Sequence, residues 1–173
     1  MNHDRYSDAY ISGILHSLRT IAMVGASANE VRPSFFAMKY LLDKGFRVIP
    51  VNPGQAGKTI LGQTVYATLA DIPDPIDMVD VFRPSATVPG ILDEVLALDP
   101  LPKVLWMQLT IRDDASAARA EEAGLSVVKD RCPKIEYGRL SGEIGWTGVN
   151  SRVLSSKKPV LRGGMQSWGV RPR

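Results

Sequence analysis

Several short segments carry side chains able to hold a phosphate-bearing ligand. The first reads Gly25-Ala26-Ser27-Ala28-Asn29-Glu30-Val31-Arg32-Pro33-Ser34 and joins an apolar run to a helical pattern. Gly25 and the small residues after it let backbone N–H groups approach a phosphate at the next helix N-terminus. Arg32 adds a charge-assisted contact, and Pro33 suits a first helical turn. The segment is not G-x-G-x-x-G, because Ser27 and Glu30 occupy the second and third glycine positions. A tight turn without a ligand would read the same way, so this loop alone leaves both readings open.

The next segment, Val51-Asn52-Pro53-Gly54, bears on which nucleotide such a loop would hold. A dinucleotide site of the NAD type wants an Asp or Glu here to grip the ribose diol. An amide and a proline stand in its place, which counts against NAD. Arg47 lies at the wrong end of the strand for a 2′-phosphate. Phe82-Arg83-Pro84 offers a ring for a base or alkyl arm and a cation for a phosphate. Equally, Phe82 could cap the core and Arg83 be solvated. Gln108 is a polar group at another strand end, while Trp106 reads as core.

Cys132, in Asp130-Arg131-Cys132-Pro133, is the single cysteine. It could line a pocket, serve as a small buried apolar residue, or act as a nucleophile with its pKa lowered by Arg131. Nucleophilic catalysis wants a general base, and the two histidines, His3 and His16, both precede the first strand. One Cys and two His make no zinc constellation. Asp77 and Asp80, on one strand, suggest structural hydrogen bonding more than an acid–base pair.

The elements that must position these residues follow from the apolar pattern. Near-continuous apolar runs at Thr20–Gly25, Arg47–Val51, Asp77–Phe82, Lys103–Leu109 and Leu125–Lys129 predict five strands. Helical spacing predicts helices over Pro33–Lys44, around Ile91, Leu92, Val95 and Leu98, and over Arg112–Ala123. Gly45 is expected as a helix stop, Thr87 as the N-cap of the second helix, and Asp113 or Asp114 as that of the third. Residues 4–19 predict an extra N-terminal helix with Tyr10, Ile11, Ile14, Leu15 and Leu18 on its apolar side. Apolar strands alternating with helices indicate an α/β, Rossmann-like doubly wound sheet of about five parallel strands with helices on both faces. Ligands of such sheets bind beyond the C-terminal strand ends, where all the segments above fall. From Asp130 onward periodicity gives way to short Gly- and Ser-rich motifs, with Leu140–Asn150 expected to pack across the sheet edge.

Length and charge narrow the function classes. The 173 residues, 45% of them hydrophobic, suffice for one globular core. No apolar run approaches the ~18 residues that would span a bilayer. The N-terminal residues lack a secretory pattern, and the lone cysteine fits a reducing compartment, so a cytoplasmic setting is expected. The net charge is +3, but Arg152, Lys157, Lys158, Arg162, Arg171 and Arg173 lie in the last stretch without any acid. Removing those six from 21 basic residues leaves fifteen against 18 acidic ones, a body charge of −3. A basic tail on an acidic body is no nucleic-acid surface. The expected organisation is one domain over 1–158, followed by a mobile basic tail over 159–173.

The ordered set VGAS…RPS, KYLLDKGFRVIPVNPG, ILGQTVYATLADIP, IDMVDVFRP, VLWMQL and VVKDRCPKIE resembles the small stand-alone CoA-binding proteins. These in turn are similar to the N-terminal domain of the succinyl-CoA synthetase α subunit. The resemblance runs from about Ser7 to Lys158. It implies that CoA phosphates and ribose lie around Gly25, Ala26, Ser27 and Arg32. Val51, Asn52, Pro53 and Lys58 would line the adenine and 3′-phosphate side. Phe82, Arg83 and Pro84 would flank the nucleotide, with Gln108 and Cys132 toward the pantetheine arm. The implied function is non-catalytic binding of CoA or an acyl-CoA, since the synthetase's phosphohistidine domain has no counterpart in the motifs. A separately encoded catalytic partner is one implied interaction. An NAD(P)-type protein and a thiol-based regulator using Cys132 are the alternatives.

Overall fold

The five predicted apolar runs each contain a largely buried strand, and these five pair in parallel. The computed structural model describes residues 3–142. The chain begins with α1 (Asp8–Ser17), β1 (Thr20–Val24), α2 (Pro33–Asp43) and β2 (Arg47–Val51). A small hairpin follows, β3 (Thr59–Ile60) and β4 (Gln63–Thr64), and then β5 (Met78–Val81) and α3 (Val88–Leu96). The remainder is β6 (Val104–Met107), α4 (Asp114–Glu122), β7 (Ser126–Val128) and α5 (Pro133–Leu140).

The main sheet runs β2-β1-β5-β6-β7, with each of its pairs parallel. The chain moves outward from β1 to β2, then crosses back to place β5 on the other side of β1. That reversal is the topological switch point where ligands of open α/β sheets collect. Both faces are covered, which explains why the strands are apolar throughout and do not alternate. Ala22, Val79, Leu105 and Val127 face one core, shared with α3 and α4. Ile21, Met23, Met78, Trp106 and Val128 face the other, shared with α1 and α2.

Local signals set the helix ends. The Ser7 hydroxyl accepts from Tyr10 N at 3.2 Å and caps α1, whose Ile11, Ile14 and Leu15 are buried. Burying each of those side chains stabilises the fold by roughly 1.5–3 kcal/mol. Gly45, at φ +87°, ends α2 in the left-handed region that glycine enters without strain. Asp113 caps α4, its Oδ1 accepting from Ser116 N at 2.6 Å. Thr87 stands at the N-cap of α3, as expected, but its side chain makes no capping bond. It ends a 3₁₀ turn over Ser85–Thr87, and its hydroxyl donates to the Pro84 carbonyl at 2.7 Å.

Two elements escape the periodicity reading. The hairpin strands are two residues each, too short for any pattern, and close through Leu61 and Gly62 at φ 48° and 76°. Positive φ at both turn positions is the type I′ arrangement that matches strand twist. α5 forms where periodicity was expected to fail. Its buried positions are Pro133, Glu136 and Gly138, and its large apolar side chains on the core, Tyr137 and Leu140, are only half-buried. Glu136 is held there by Arg139, whose Nη2 lies 2.8 Å from its carboxylate. The expected packing of Leu140–Asn150, the basic tail and the boundary at 158 lie outside the described residues, apart from the first positions of that segment.

Candidate functional site

The end of β1 is built around Gly25. Its N–H donates to the Val51 carbonyl at 2.9 Å, which locks the β1 and β2 ends together. Its φ is +88°, and a Cβ there would stand 2.8 Å from Arg83 Cδ and 2.9 Å from the Phe82 carbonyl oxygen. Glycine is required twice over, by conformation and by space. The result is a close stack of the β1 and β5 exits with the Arg83 stem lying across Gly25. Phe82 N–H donates back to Val24 O at 2.8 Å, while its ring is half-buried against the core shared with α2. Arg83 and Pro84 are exposed.

Asn52 is the second anchor. Its Nδ2 donates to Ala26 O at 2.7 Å, and its Oδ1 accepts from Gly54 N at 3.0 Å. One side chain therefore ties the loop after β1 to the turn after β2. The rest of the first loop is braced from within. The Ser27 hydroxyl accepts from Asn29 N at 3.1 Å, and Ala28 N–H donates to Gln55 Oε1 at 3.1 Å. Ala26 is buried. Arg32 stands at the N-cap of α2 with an exposed side chain that makes no capping bond.

Between these exits and α3 lies a cleft of about 260 Å³, open to solvent. Gly25, Val51, Asn52, Pro53 and Arg83 line it, so five of the sequence-derived positions converge. Thr87, Gly90, Ile91 and Glu94 of the opposite wall were not anticipated. The spacing of α3 marked its core residues, but nothing in it distinguished the edge that turns toward a ligand. Ala26, Ser27 and Arg32 form the neighbouring loop. Lys58 is exposed at the start of the hairpin and anchors it through its backbone, accepting from Val65 N at 2.9 Å. A larger hollow of about 440 Å³ opens beside α4. Its charges pair with one another, Arg112 with Asp4 at 3.3 Å and His3 with Glu121 at 3.3 Å.

Gln108 and Cys132 gather on the other face of the sheet, around Asp80. Gln108 Nε2 donates to both Asp80 oxygens, at 2.9 and 3.1 Å. With no cation beside it among the described residues, burial pushes the Asp80 carboxyl up to about 8. Asp77, by contrast, accepts from Arg19 N, Thr20 N and Lys103 Nζ at 2.9, 3.1 and 2.7 Å, a structural role. Cys132 is the N-cap of α5. Its thiol is not lowered, which counts against the nucleophile option: burial pushes it up to about 11, and the nearby Asp80 adds to the shift. Arg131 turns elsewhere, its guanidinium 5.8 Å from the Tyr6 ring centre and 3.9 Å from Glu136. Trp106, fully buried, donates from Nε1 to the Arg131 carbonyl at 2.7 Å and so holds the β7–α5 connection.

These groups can bind and orient a ligand at the strand ends. Exposed Arg83 and Arg32 supply charge, Gly25 lets backbone and ligand approach closely, and Gln108 adds an amide. Among the described residues no cluster of His, Cys, Asp or Glu could hold a metal ion. No described helix is long and apolar enough to cross a membrane.

Comparison with known proteins shows the family of this chain. Residues 19–138 match the CoA binding domain family. The Bacillus subtilis protein YneT is 35% identical over 131 residues, which cover 76% of this chain and 94% of that one. A solved Thermus thermophilus structure, cell-free ID.343, shares 38% identity at a TM-score of 0.74, covering 78% of this chain and 99% of its own. The α subunit of the ADP-forming acetate–CoA ligase I of Pyrococcus furiosus is 32% identical over 84 residues. That match covers 46% of this chain but 18% of the ligase subunit.

Proposed function

The chain belongs to the CoA binding domain family, and from that premise we propose that it binds coenzyme A or an acyl-CoA at the C-terminal ends of its strands without transforming it. The observation that carries the site is Gly25, pinned under Arg83 at the wall of the cleft, where no side chain fits. A backbone turn that must stay bare, beside an exposed guanidinium, suits a pyrophosphate. Asn52 and Pro53 frame the adenine and 3′-phosphate side. Gln108 and Cys132 lie toward the pantetheine arm. The non-catalytic reading is supported by the Cys132 thiol, which burial and the nearby Asp80 keep protonated.

An NAD-type role is disfavoured by Asn52, whose side chain is already engaged at both ends. The acetate–CoA ligase relative motivates a further element: this chain presents its ligand to a separate catalytic partner. Calorimetry with CoA and NAD tests the central reading. CoA is expected to bind one to one and at least about tenfold more tightly than NAD, a margin of ~1.4 kcal/mol. Equal or tighter NAD binding, or no heat with CoA, would overturn it.

A further inference from the structure

Asp80 is costly where it stands. It lies in β5 between Met23 of β1 and Trp106 of β6 and is 0% exposed. A carboxyl there must be stripped of water, whereas an apolar side chain would pack without that cost. Gln108 Nε2 bonds both its oxygens. Gln108 itself is 5% exposed and follows the end of β6. Its Oε1 accepts no bond among the described residues. No described side-chain oxygen is both sealed from solvent and unpaired, so Oε1 reaches the surface at the strand ends. Three strand spacings, about 14 Å, separate that point from the β2 exit.

We propose that Asp80 is a positioning residue for the ligand: by taking the Gln108 amide nitrogen it turns the Gln108 carbonyl oxygen outward, as an acceptor for an amide N–H of the pantetheine arm. The inference rests on the CoA reading above and adds to it the hydrogen-bond polarity of one contact. The arrangement belongs to the carboxylate. A protonated Asp80 has a hydrogen of its own to donate, and its natural acceptor is the same Gln108 oxygen, drawn inward. Ligand N–H groups and the Asp80 proton therefore compete for one atom.

The groups around Asp80 leave that competition to burial. β1 and β6 present Met23 and Trp106, and the buried residues of α2 are Ser34, Ala37, Met38 and Leu41. α5 brings the Cys132 thiol, which stays protonated, and Glu136, which is neutralised by Arg139. Lys134 acts on the Cys132 thiol, favouring its ionised form. Affinity for CoA should accordingly rise with pH through the range where Asp80 loses its proton, about 8.

The test uses wild type, Asp80→Asn, Gln108→Leu and the double variant in calorimetric titrations at pH 8.5 and 6.5. The ligands are CoA and adenosine 3′,5′-bisphosphate, which has the nucleotide end and lacks the arm. An asparagine at 80 can pair amide to amide with Gln108 and pull its oxygen inward. At pH 8.5 each single variant should weaken CoA about threefold to tenfold and leave the bisphosphate unchanged. The double variant should be no weaker than Gln108→Leu. At pH 6.5 wild type should fall to the Asp80→Asn level for CoA relative to the bisphosphate. Unchanged CoA binding, equal losses for both ligands, or additive losses in the double variant would each overturn the positioning role. Should Asp80→Asn fail to fold, the pH profile of wild type against Gln108→Leu decides. Wild type binding neither ligand would instead overturn the CoA reading itself.

Discussion

Asp80→Asn should flatten the dependence of folding stability on pH. The Asp80 carboxyl titrates near 8 in the folded chain and near 3.8 when unfolded. Between those values the folded state holds a proton that the unfolded state has released. Stability therefore falls as pH rises, by about 1.4 kcal/mol per pH unit, and levels off above about 8. Because Asp80 is fully buried, solvent does not screen this effect. From pH 5 to 7 the wild type should lose ~3 kcal/mol on this account, and the asparagine variant should lose none of it. His3 acts in the opposite sense, since desolvation lowers its pKa and the unfolded chain binds a proton below about 6.5 that the folded chain resists. The wild-type slope is thus a sum, but the difference between wild type and Asp80→Asn isolates the carboxyl. Asp77, Asp114 and Asp130 are lowered and lose their contributions only in acid. The Tyr6 hydroxyl, near 12, and the Cys132 thiol, near 11, act above the window. Urea unfolding followed by circular dichroism at pH 5, 6, 7 and 8, at constant ionic strength, measures both profiles. Parallel profiles between pH 5 and 7 would refute the reasoning.

Three further outcomes follow from the site. Gly25→Ala should destabilise the fold by about 2–3 kcal/mol, because a Cβ at positive φ meets a backbone carbonyl at 2.9 Å that cannot retreat without breaking the β1–β5 exit; an unchanged urea midpoint would show that the stack yields. Arg32→Ala should weaken CoA by about 1.5–3 kcal/mol, the scale of a charge-assisted hydrogen bond, with no change in melting temperature, since its side chain makes no capping bond. Unaltered calorimetric affinity would remove Arg32 from the site. Incubation with CoA disulfide at pH 7.5 should leave Cys132 unmodified by intact mass, because a thiol near 11 is about 0.1% or less ionised there. A stoichiometric adduct on native protein would reverse that reading and restore the thiol-switch alternative.

Legibility followed element length. Five strands and four helices could be read because each repeats its signal over several residues: the Phe35, Met38, Leu41 spacing in α2, or the unbroken VLWM of β6. The hairpin at 59–64 carries its information in two positive-φ residues, Leu61 and Gly62, and leucine does not advertise that conformation. α5 is legible neither by periodicity nor by composition. Its fully buried positions are a proline, a glutamate and a glycine, and the glutamate is balanced by Arg139, one turn on, and by Arg131. Thr87 does take the N-cap position of α3, but the preceding 3₁₀ turn claims its hydroxyl, so the cap is made without its side chain.

At the site the strand-end rule was enough to gather Gly25, Val51, Asn52, Pro53 and Arg83 on one cleft, because backbone topology alone brings the ends of β1, β2 and β5 together. Side-chain roles were another matter. Asn52 was read by what it lacks, a carboxylate for a ribose, whereas its two bonds make it the tie between two loops. Cys132 was read beside its chain neighbour Arg131, but the neighbours that govern it are the α5 N-terminus and Asp80, 52 residues away in the chain. Asp80 itself was weighed against Asp77 because both lie on one strand run. Three residues apart on a strand, they point to opposite faces, and so one meets Lys103 and two backbone N–H groups while the other meets a single amide. The pair that matters, Asp80 with Gln108, comes from adjacent strands, β5 beside β6, and only the strand order makes it visible. A strand order that reverses at β1 therefore accounts both for the cleft lined by Gly25, Asn52 and Arg83 on one face and for the buried Asp80–Gln108 pair on the other.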